Sequence, residues 1–149
     1  MYRRILVPLE NTVTDSGILD HVRELARHCG SSLIVIHVAD GWAARNIAHL
    51  NLRESEELRV DREYIERIAT TLSGEGIPTE ALLASGDPAR EIISAAEREK
   101  CDLIAMATHG HKFIGDVIHG SVANGVRHET SIPVLLVRAA VPARRPQET

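Results

Sequence analysis

The sequence predicts an α/β fold, a three-layer sandwich in which helices cover both faces of a five-stranded parallel sheet. Three observations carry that expectation. Five short apolar runs recur along the 149 residues with little polar alternation, the pattern of strands buried on both faces. Amphipathic stretches of helical period separate them. The regular alternation of the two kinds of segment is what parallel β-α-β units with right-handed crossovers produce.

The elements follow in order. The first strand is read at Arg4–Leu9, a run of Ile, Leu and Val with Pro8 near its end. Ile18, Val22, Leu25, Ala26 and Cys29 then repeat at helical spacing; Thr14, Asp15 and Ser16 offer N-cap chemistry and Gly30 a stop. The second strand is Leu33–Val38. Leu58, Ile65, Ile68, Ala69 and Leu72 form the stripe of a long helix ending near Gly74, whose Glu- and Arg-rich outer face reads as solvated surface. Glu80–Ala84 is the third and weakest strand. Ala89, Ile92, Ile93 and Ala96 make the next helix, started by Asp87-Pro88. Asp102–Ala107 is the fourth strand, Ile118, Val122 and Val126 mark the last helix, and Pro133–Arg138 is the fifth strand.

No linker divides the chain, so residues 1–138 read as one domain. Residues 139–149, with Pro142, Arg144, Arg145 and Pro146 and no periodicity, read as a disordered tail. The connection from Asp40 to Asn51 is the one long irregular segment and holds the only tryptophan, Trp42. A lid and a packed-down insertion both fit it.

Composition narrows the function classes. Hydrophobic residues make up 44% and charged residues 26%, a globular balance that excludes a disordered chain, a collagen repeat and a coiled coil. The net charge is −4, so the basic surplus of a protein that lives on nucleic-acid phosphates is missing. Cys29 and Cys101 are too few for a disulfide framework and read as reduced, core-side thiols. The apolar run after Arg3-Arg4 is too short for a secretory signal core, and no run reaches the roughly 20 residues of a membrane span. The expectation is a cytoplasmic protein with neither nucleic acid nor membrane as partner.

In a doubly wound sheet the ligand site lies at the carboxyl ends of the strands, where the winding reverses. With strand order 3-2-1-4-5, strands one and four meet there. The loops to inspect are Pro8-Leu9-Glu10-Asn11 and the segment from Thr108 to Ser121. In the second, Gly110 follows a strand and Gly120-Ser121 lies near a helix start. Glycines let backbone amides approach an anion without a Cβ in the way, and a helix start adds unpaired N–H groups. Lys112, His109 and His111 can add positive charge. A phosphate cradle and a plain strand-to-helix turn both satisfy this local pattern. Gly115-x4-Gly120 lacks the lysine of a P-loop, and there is no G-x-G-x-x-G.

At these residues the chain resembles the universal stress protein family, whose phosphate motif is G-x2-G-x9-G-[S/T]. Gly110, nine residues and Gly120-Ser121 match it. The following Val122-Ala123, the opening Ile5-Leu6-Val7-Pro8, the Leu33–Val38 strand, Gly86-Asp87-Pro88 and the final Pro133–Val137 run are similar too. The resemblance covers residues 3 to 138. It implies a Rossmann-like sheet of the adenine nucleotide alpha-hydrolase-like kind, adenine-nucleotide binding, and homodimers joined through the last strand. Two positions depart from the pattern: Ala107 stands where the motif has its first glycine, and Glu10 where the family has aspartate.

Carried over residue by residue, the resemblance gives a candidate site. Pro8, Leu9 and Glu10 would line the adenosine side, with Glu10 at the ribose. Val38 would meet adenine through its backbone. Met106, Ala107, His109 and Gly110 would contact the ribose and first phosphate. Gly120, Ser121, Val122 and Ala123 would cradle the outer phosphates, with Ser121 also a candidate ligand to a nucleotide-bound Mg²⁺ or Mn²⁺. The implied ligand is ATP, ADP or AMP.

Other chemistry is weaker. His109 and His111 are two apart in a loop, and His119 and His128 are nine apart, so neither pair has zinc-site spacing. His37, inside an apolar strand, reads as a hydrogen-bonded core residue; His21, His28 and His49 read as surface. Gly120-Ser121-Val122 is not a nucleophile elbow. Glu10 and Asp116 are the only carboxylates expected near the site, with no evident general base, so at most slow ATP hydrolysis is expected. A response regulator would need an acidic pair where Glu10-Asn11 stand, an aspartate at Ser85-Gly86 and a lysine after the fifth strand, where the 138–145 segment lies, and a flavin carrier would need more aromatics. The expectation is therefore a homodimeric, nucleotide-binding regulatory module of the stress response. The alternatives are an interaction module of the same fold with no nucleotide, and a slow ATPase.

Overall fold

The computed structural model describes residues 1–40, 51–108 and 120–139; for Asp40, residues 51–55, Gly120 and Ser121 only the backbone is described. The elements run β1 (Arg4–Pro8), α1 (Asp15–Cys29), β2 (Ser32–Asp40), α2 (Asn51–Gly74), β3 (Thr79–Gly86), α3 (Pro88–Arg98), β4 (Leu103–Thr108), α4 (Gly120–Glu129) and β5 (Val134–Arg138). All four strand pairings are parallel and the order is β3-β2-β1-β4-β5, as the sequence predicts.

Strand alternation sorts the side chains into two cores. Ile5, Val7, Leu33, Val35, Leu103 and Ala105 face α1 and α2, where Ile18, Val22, Ala26, Ile65, Ala69 and Leu72 meet them. Leu6, Ile34, Ile36, Ile104 and Met106 face α3 and α4, against Ile92, Ala95, Ala96, Ala123 and Val126. Both faces of β1, β2 and β4 are therefore buried, which is why those strands read as unbroken apolar runs.

Local signals set several ends. Gly30 closes α1 at φ 69°, a left-handed cap that costs glycine little. Asp87 caps α3, its carboxylate accepting from Arg90 N–H at 3.1 Å, and Pro88 occupies the first turn. Thr14 does not cap α1 through its side chain, and Asp15 is used elsewhere. β3 is longer than expected, Thr79–Gly86, and only partly buried because it is an edge strand. At the other end of the sheet, the Asp102 carboxylate accepts from Arg3 N–H (2.9 and 3.2 Å) and Arg4 N–H (3.0 Å). Burial pushes this carboxyl up, but those amides outweigh it and hold it below the usual aspartate range.

β5 is the second edge, paired only with β4, and Leu136 on it is 41% exposed. Ala139, assigned above to the tail, is 6% exposed, and its N–H bonds to Thr108 O at 2.8 Å, so it is packed against the domain just past β5. The rest of the expected tail, 140–149, and the Trp42 connection lie outside the described residues, as does Ile118 ahead of α4. Among the described residues no helix is long and apolar enough to cross a membrane. Cys29 and Cys101 are both free thiols.

Candidate functional site

The site begins with a parting of strands. β1 registers with β2 along its whole length, through Pro8↔Ile36, but with β4 only at Ile5↔Leu103 and Leu6↔Ile104. Proline explains the asymmetry. Arg3 O accepts from Ser32 on the β2 side, Arg4 O from Asp102 on the β4 side, and Leu9 N–H donates to Ile36 on the β2 side. Successive residues point to opposite neighbours, so position 8 faces β4, and Pro8 has no N–H to offer it. The seam between β1 and β4 stops there and a cleft opens.

That cleft has a volume of about 170 Å³ and is lined by Pro8, Leu9, Glu10, Asp15, Ile36, His37, Val38, Pro88, Ile92, Met106, Ala107, Val122 and Ala123. Of the twelve residues expected at the site, these include Pro8, Leu9, Glu10, Val38, Met106, Ala107, Val122 and Ala123. Gly120 and Ser121 open α4, a helix of 10 residues whose Val122 and Ala123 form part of the wall. His109 and Gly110 lie outside the described residues, as do Lys112 and Asp116. Ala107 sits in β4, in register with Val137. Asn11 and Lys100 are the only described non-glycine residues with positive φ, so the methyl of Ala107 occupies an ordinary extended position and carries no backbone strain.

The turn that forms the cleft's rim is held by polar groups that the sequence reading missed. Asp15, 3% exposed, is one of the three residues read above as offering N-cap chemistry. Instead its Oδ1 accepts from Glu10 N–H (3.0 Å) and its Oδ2 from Asn11 N–H (2.8 Å) and Tyr64 OH (2.6 Å). Three donors satisfy a buried charge that is costly alone. Burial, then the bond to Asp15, pushes the Tyr64 phenol above its ordinary range, so it stays a donor. Asn11 adopts φ 61° and its Nδ2 donates to Asp61 Oδ1 at 3.1 Å. His37 is hydrogen-bonded as expected: Nδ1 lies 2.9 Å from Leu9 O, and Nε2 lies 3.2 Å from Asp61 Oδ2. Asp15 corrects the expectation that Glu10 and Asp116 would be the only carboxylates near the site. One signal was available: Asp15, Ile18 and Val22 share a helical stripe, so a charge was placed on an apolar face.

Most of the lining is apolar, and its ionisable members are Glu10, Asp15 and His37. Such a surface suits a flat, uncharged ring with hydroxyls at its edge. Among the described residues no three His, Cys, Asp or Glu converge to hold a metal ion.

Comparison with known proteins agrees with this architecture. The family model described as the universal stress protein family matches residues 1–138. Universal stress protein MJ0577 of Methanocaldococcus jannaschii is 28% identical over 155 aligned positions, covering 93% of this chain and 96% of its own. A universal stress protein of Thermus aquaticus is 32% identical over 140, covering 93% of this chain and all of the relative. The solved structure of MJ0577 superposes with a TM-score of 0.78 at 27% identity, over 95% of this chain and 99% of the other. A universal stress protein in complex with cAMP shares the fold at TM-score 0.68 and 18% identity, over 93% of this chain and 98% of its own. One from Archaeoglobus fulgidus in complex with dAMP does so at 0.66 and 20%, over 91% and 97%.

Proposed function

The chain belongs to the universal stress protein family, and from that premise we propose that it is a regulatory module that binds an adenine nucleotide, ATP foremost, in the cleft between β1 and β4. One observation carries the reading: the parting of β1 from β4 at Pro8 opens an apolar slot, and the first turn of α4, with the motif pair Gly120-Ser121, stands at its wall. A purine fits the slot between Val38 and Met106. Ribose hydroxyls face Glu10. The phosphates run toward Gly120 and Ser121, where free helix N–H groups favour anions. His109, Gly110 and Lys112 belong to the same arm of the motif. Mg²⁺ or Mn²⁺ would enter with the phosphates and take its protein ligand from Ser121.

Two further supports bear on it. The departure at position 107 adds a methyl without positive φ, so it does not distort the strand that must approach the ligand. Two proteins sharing the fold, though only 18% and 20% identical, were solved in complex with cAMP and dAMP. The module acts as a homodimer through residues 133–138, where β5 leaves an open edge. On this reading it works in the cytoplasm by binding, with at most slow ATP hydrolysis.

The test is to purify the protein without added nucleotide, denature it, and identify what is released by chromatography and mass spectrometry. Stoichiometric ATP, ADP or AMP is the expected result. Gly120→Val should abolish it while leaving the circular dichroism spectrum unchanged, because a side chain then fills the phosphate position. An empty protein whose melting temperature does not respond to millimolar Mg-ATP would refute the reading and point to a nucleotide-free interaction module.

A further inference from the structure

His37 is held between two groups that can only accept. Nδ1 faces the Leu9 carbonyl at 2.9 Å and Nε2 faces Asp61 Oδ2 at 3.2 Å. The other Asp61 oxygen already accepts from Asn11 Nδ2. A neutral ring has one N–H and one bare nitrogen. In either tautomer, one contact becomes a lone pair against a lone pair. Only a ring with a proton on both nitrogens satisfies the arrangement, and imidazole holds a proton more tightly than a carboxylate does.

The charged groups around the ring are acidic. The ring is mostly buried, its side chain 14% exposed. Asp61 faces it from α2, and Glu10 and Asp15 line the same cleft from the β1–α1 turn and from α1. The lining residues of α3, β4 and α4 (Pro88, Ile92, Met106, Ala107, Val122, Ala123) bring no charge. Among the described lining residues, His37 is the one group able to carry a positive charge.

The pair also closes a circuit around one turn. Leu9 is tied by its N–H to Ile36 O and by its carbonyl to His37. Glu10 and Asn11 are tied by their N–H groups to Asp15, and the Asn11 side chain returns to Asp61. We propose that His37 and Asp61 are positioning residues for the adenosine side of the cleft, an imidazolium–carboxylate latch that fixes the Leu9–Asn11 turn on α2 and makes ligand affinity fall when the ring loses its proton. The affinity clause rests on the nucleotide reading above; the latch itself does not.

The experiment has two arms. In the first, affinity for cyclic AMP is measured by calorimetry from about pH 5.5 to about pH 8.5, the window in which histidines titrate. Its phosphodiester keeps one charge throughout, so the ligand does not titrate. Wild type should weaken about 5–10-fold across the window, within the usual range of coupling between sites. His37→Gln and Asp61→Asn should be weak and flat, and the other seven histidines, present in both variants, control for unrelated titrations. Equal pH profiles in wild type and His37→Gln overturn the positioning role. In the second arm, ligand-free protein is examined by ¹⁵N NMR. Both His37 ring nitrogens should carry a proton at the acid end of the same window, and the Glu10 and Asn11 amides should lose exchange protection in Asp61→Asn. A bare ring nitrogen, or unchanged protection in a variant with native circular dichroism, overturns the latch. Failure of every form to bind cyclic AMP or Mg-ATP overturns the nucleotide reading and the positioning role together, and the second arm still decides the latch.

Discussion

Replacing Asp15 by asparagine tests whether the rim of the cleft is built from tertiary contacts or from the turn's own sequence. The carboxylate uses both oxygens: one takes Glu10 N–H at 3.0 Å, the other takes Asn11 N–H at 2.8 Å and Tyr64 OH at 2.6 Å. Asparagine keeps the shape but offers an oxygen on one side only. Its better orientation leaves the oxygen facing Asn11 and Tyr64 and turns an NH₂ against the Glu10 N–H. One charge-assisted bond, about 1.5–3 kcal/mol, is lost outright. The two that remain weaken to neutral bonds, about half as strong. The amides border solvent, so water recovers part of this, and the net loss should be about 2–3 kcal/mol. Tyr64→Phe removes one donor from a carboxylate that keeps two, and should cost about 1 kcal/mol. Urea unfolding followed by circular dichroism measures both, at one fixed protein concentration because association would otherwise shift the midpoint. The combined variant should lose less than the sum, since the two side chains share a bond. A loss below about 0.5 kcal/mol for Asp15→Asn, the level of an ordinary surface substitution, would refute the argument that this carboxylate carries the turn.

Three other outcomes are expected. Asp102 is held below the ordinary aspartate range, so its contribution to stability is complete above the unfolded carboxyl pKa and disappears as pH falls through the folded value; urea midpoints of Asp102→Asn should trail wild type at neutral pH and converge with it in acid. Burial pushes the Cys101 thiol up to about 11, so iodoacetamide at neutral pH should leave it unmodified in the native protein and label it only on unfolding, as read by mass spectrometry. Leu136→Lys places a charge on the open β5 edge, on which Leu136 is 41% exposed, and should sediment as a monomer, where wild type at micromolar concentration should sediment as a dimer; a monomeric wild type would remove the dimer from the proposed function.

Much of the fold was legible because its signals are local. Gly30 and Asp87-Pro88 set helix ends through their own backbone chemistry. The doubly buried strands β1, β2 and β4 announced themselves as apolar runs, while edge strand β3, covered on fewer sides, read as weak and short. The cleft's apolar walls were legible through the motif and the strand order together. The polar circuit was not. Asp15 meets Tyr64 across 49 residues, and Asn11 meets Asp61 across 50. No spacing rule connects such positions, and an aspartate just after Thr14 looks like a cap until a second helix supplies its donor. His37 was recognisable as a bonded core histidine, but its partners come from a turn and a helix whose packing the sequence does not state.

The seam between β1 and β4 also has a history during synthesis. Arg4 N–H and the Asp102 carboxylate are 98 residues apart, so one side of this central strand stays bare from its own synthesis until β4 is made. At ribosomal speeds of about 5–20 residues per second, the wait is on the order of 5–20 s. An unpaired strand edge is a template for unwanted pairing. Pro8 at one end of β1 and the charged Arg3-Arg4 pair at the other confine the exposed apolar stretch to Ile5, Leu6 and Val7. The proline that opens the cleft in the finished protein thus also guards the nascent chain against association before β4 arrives.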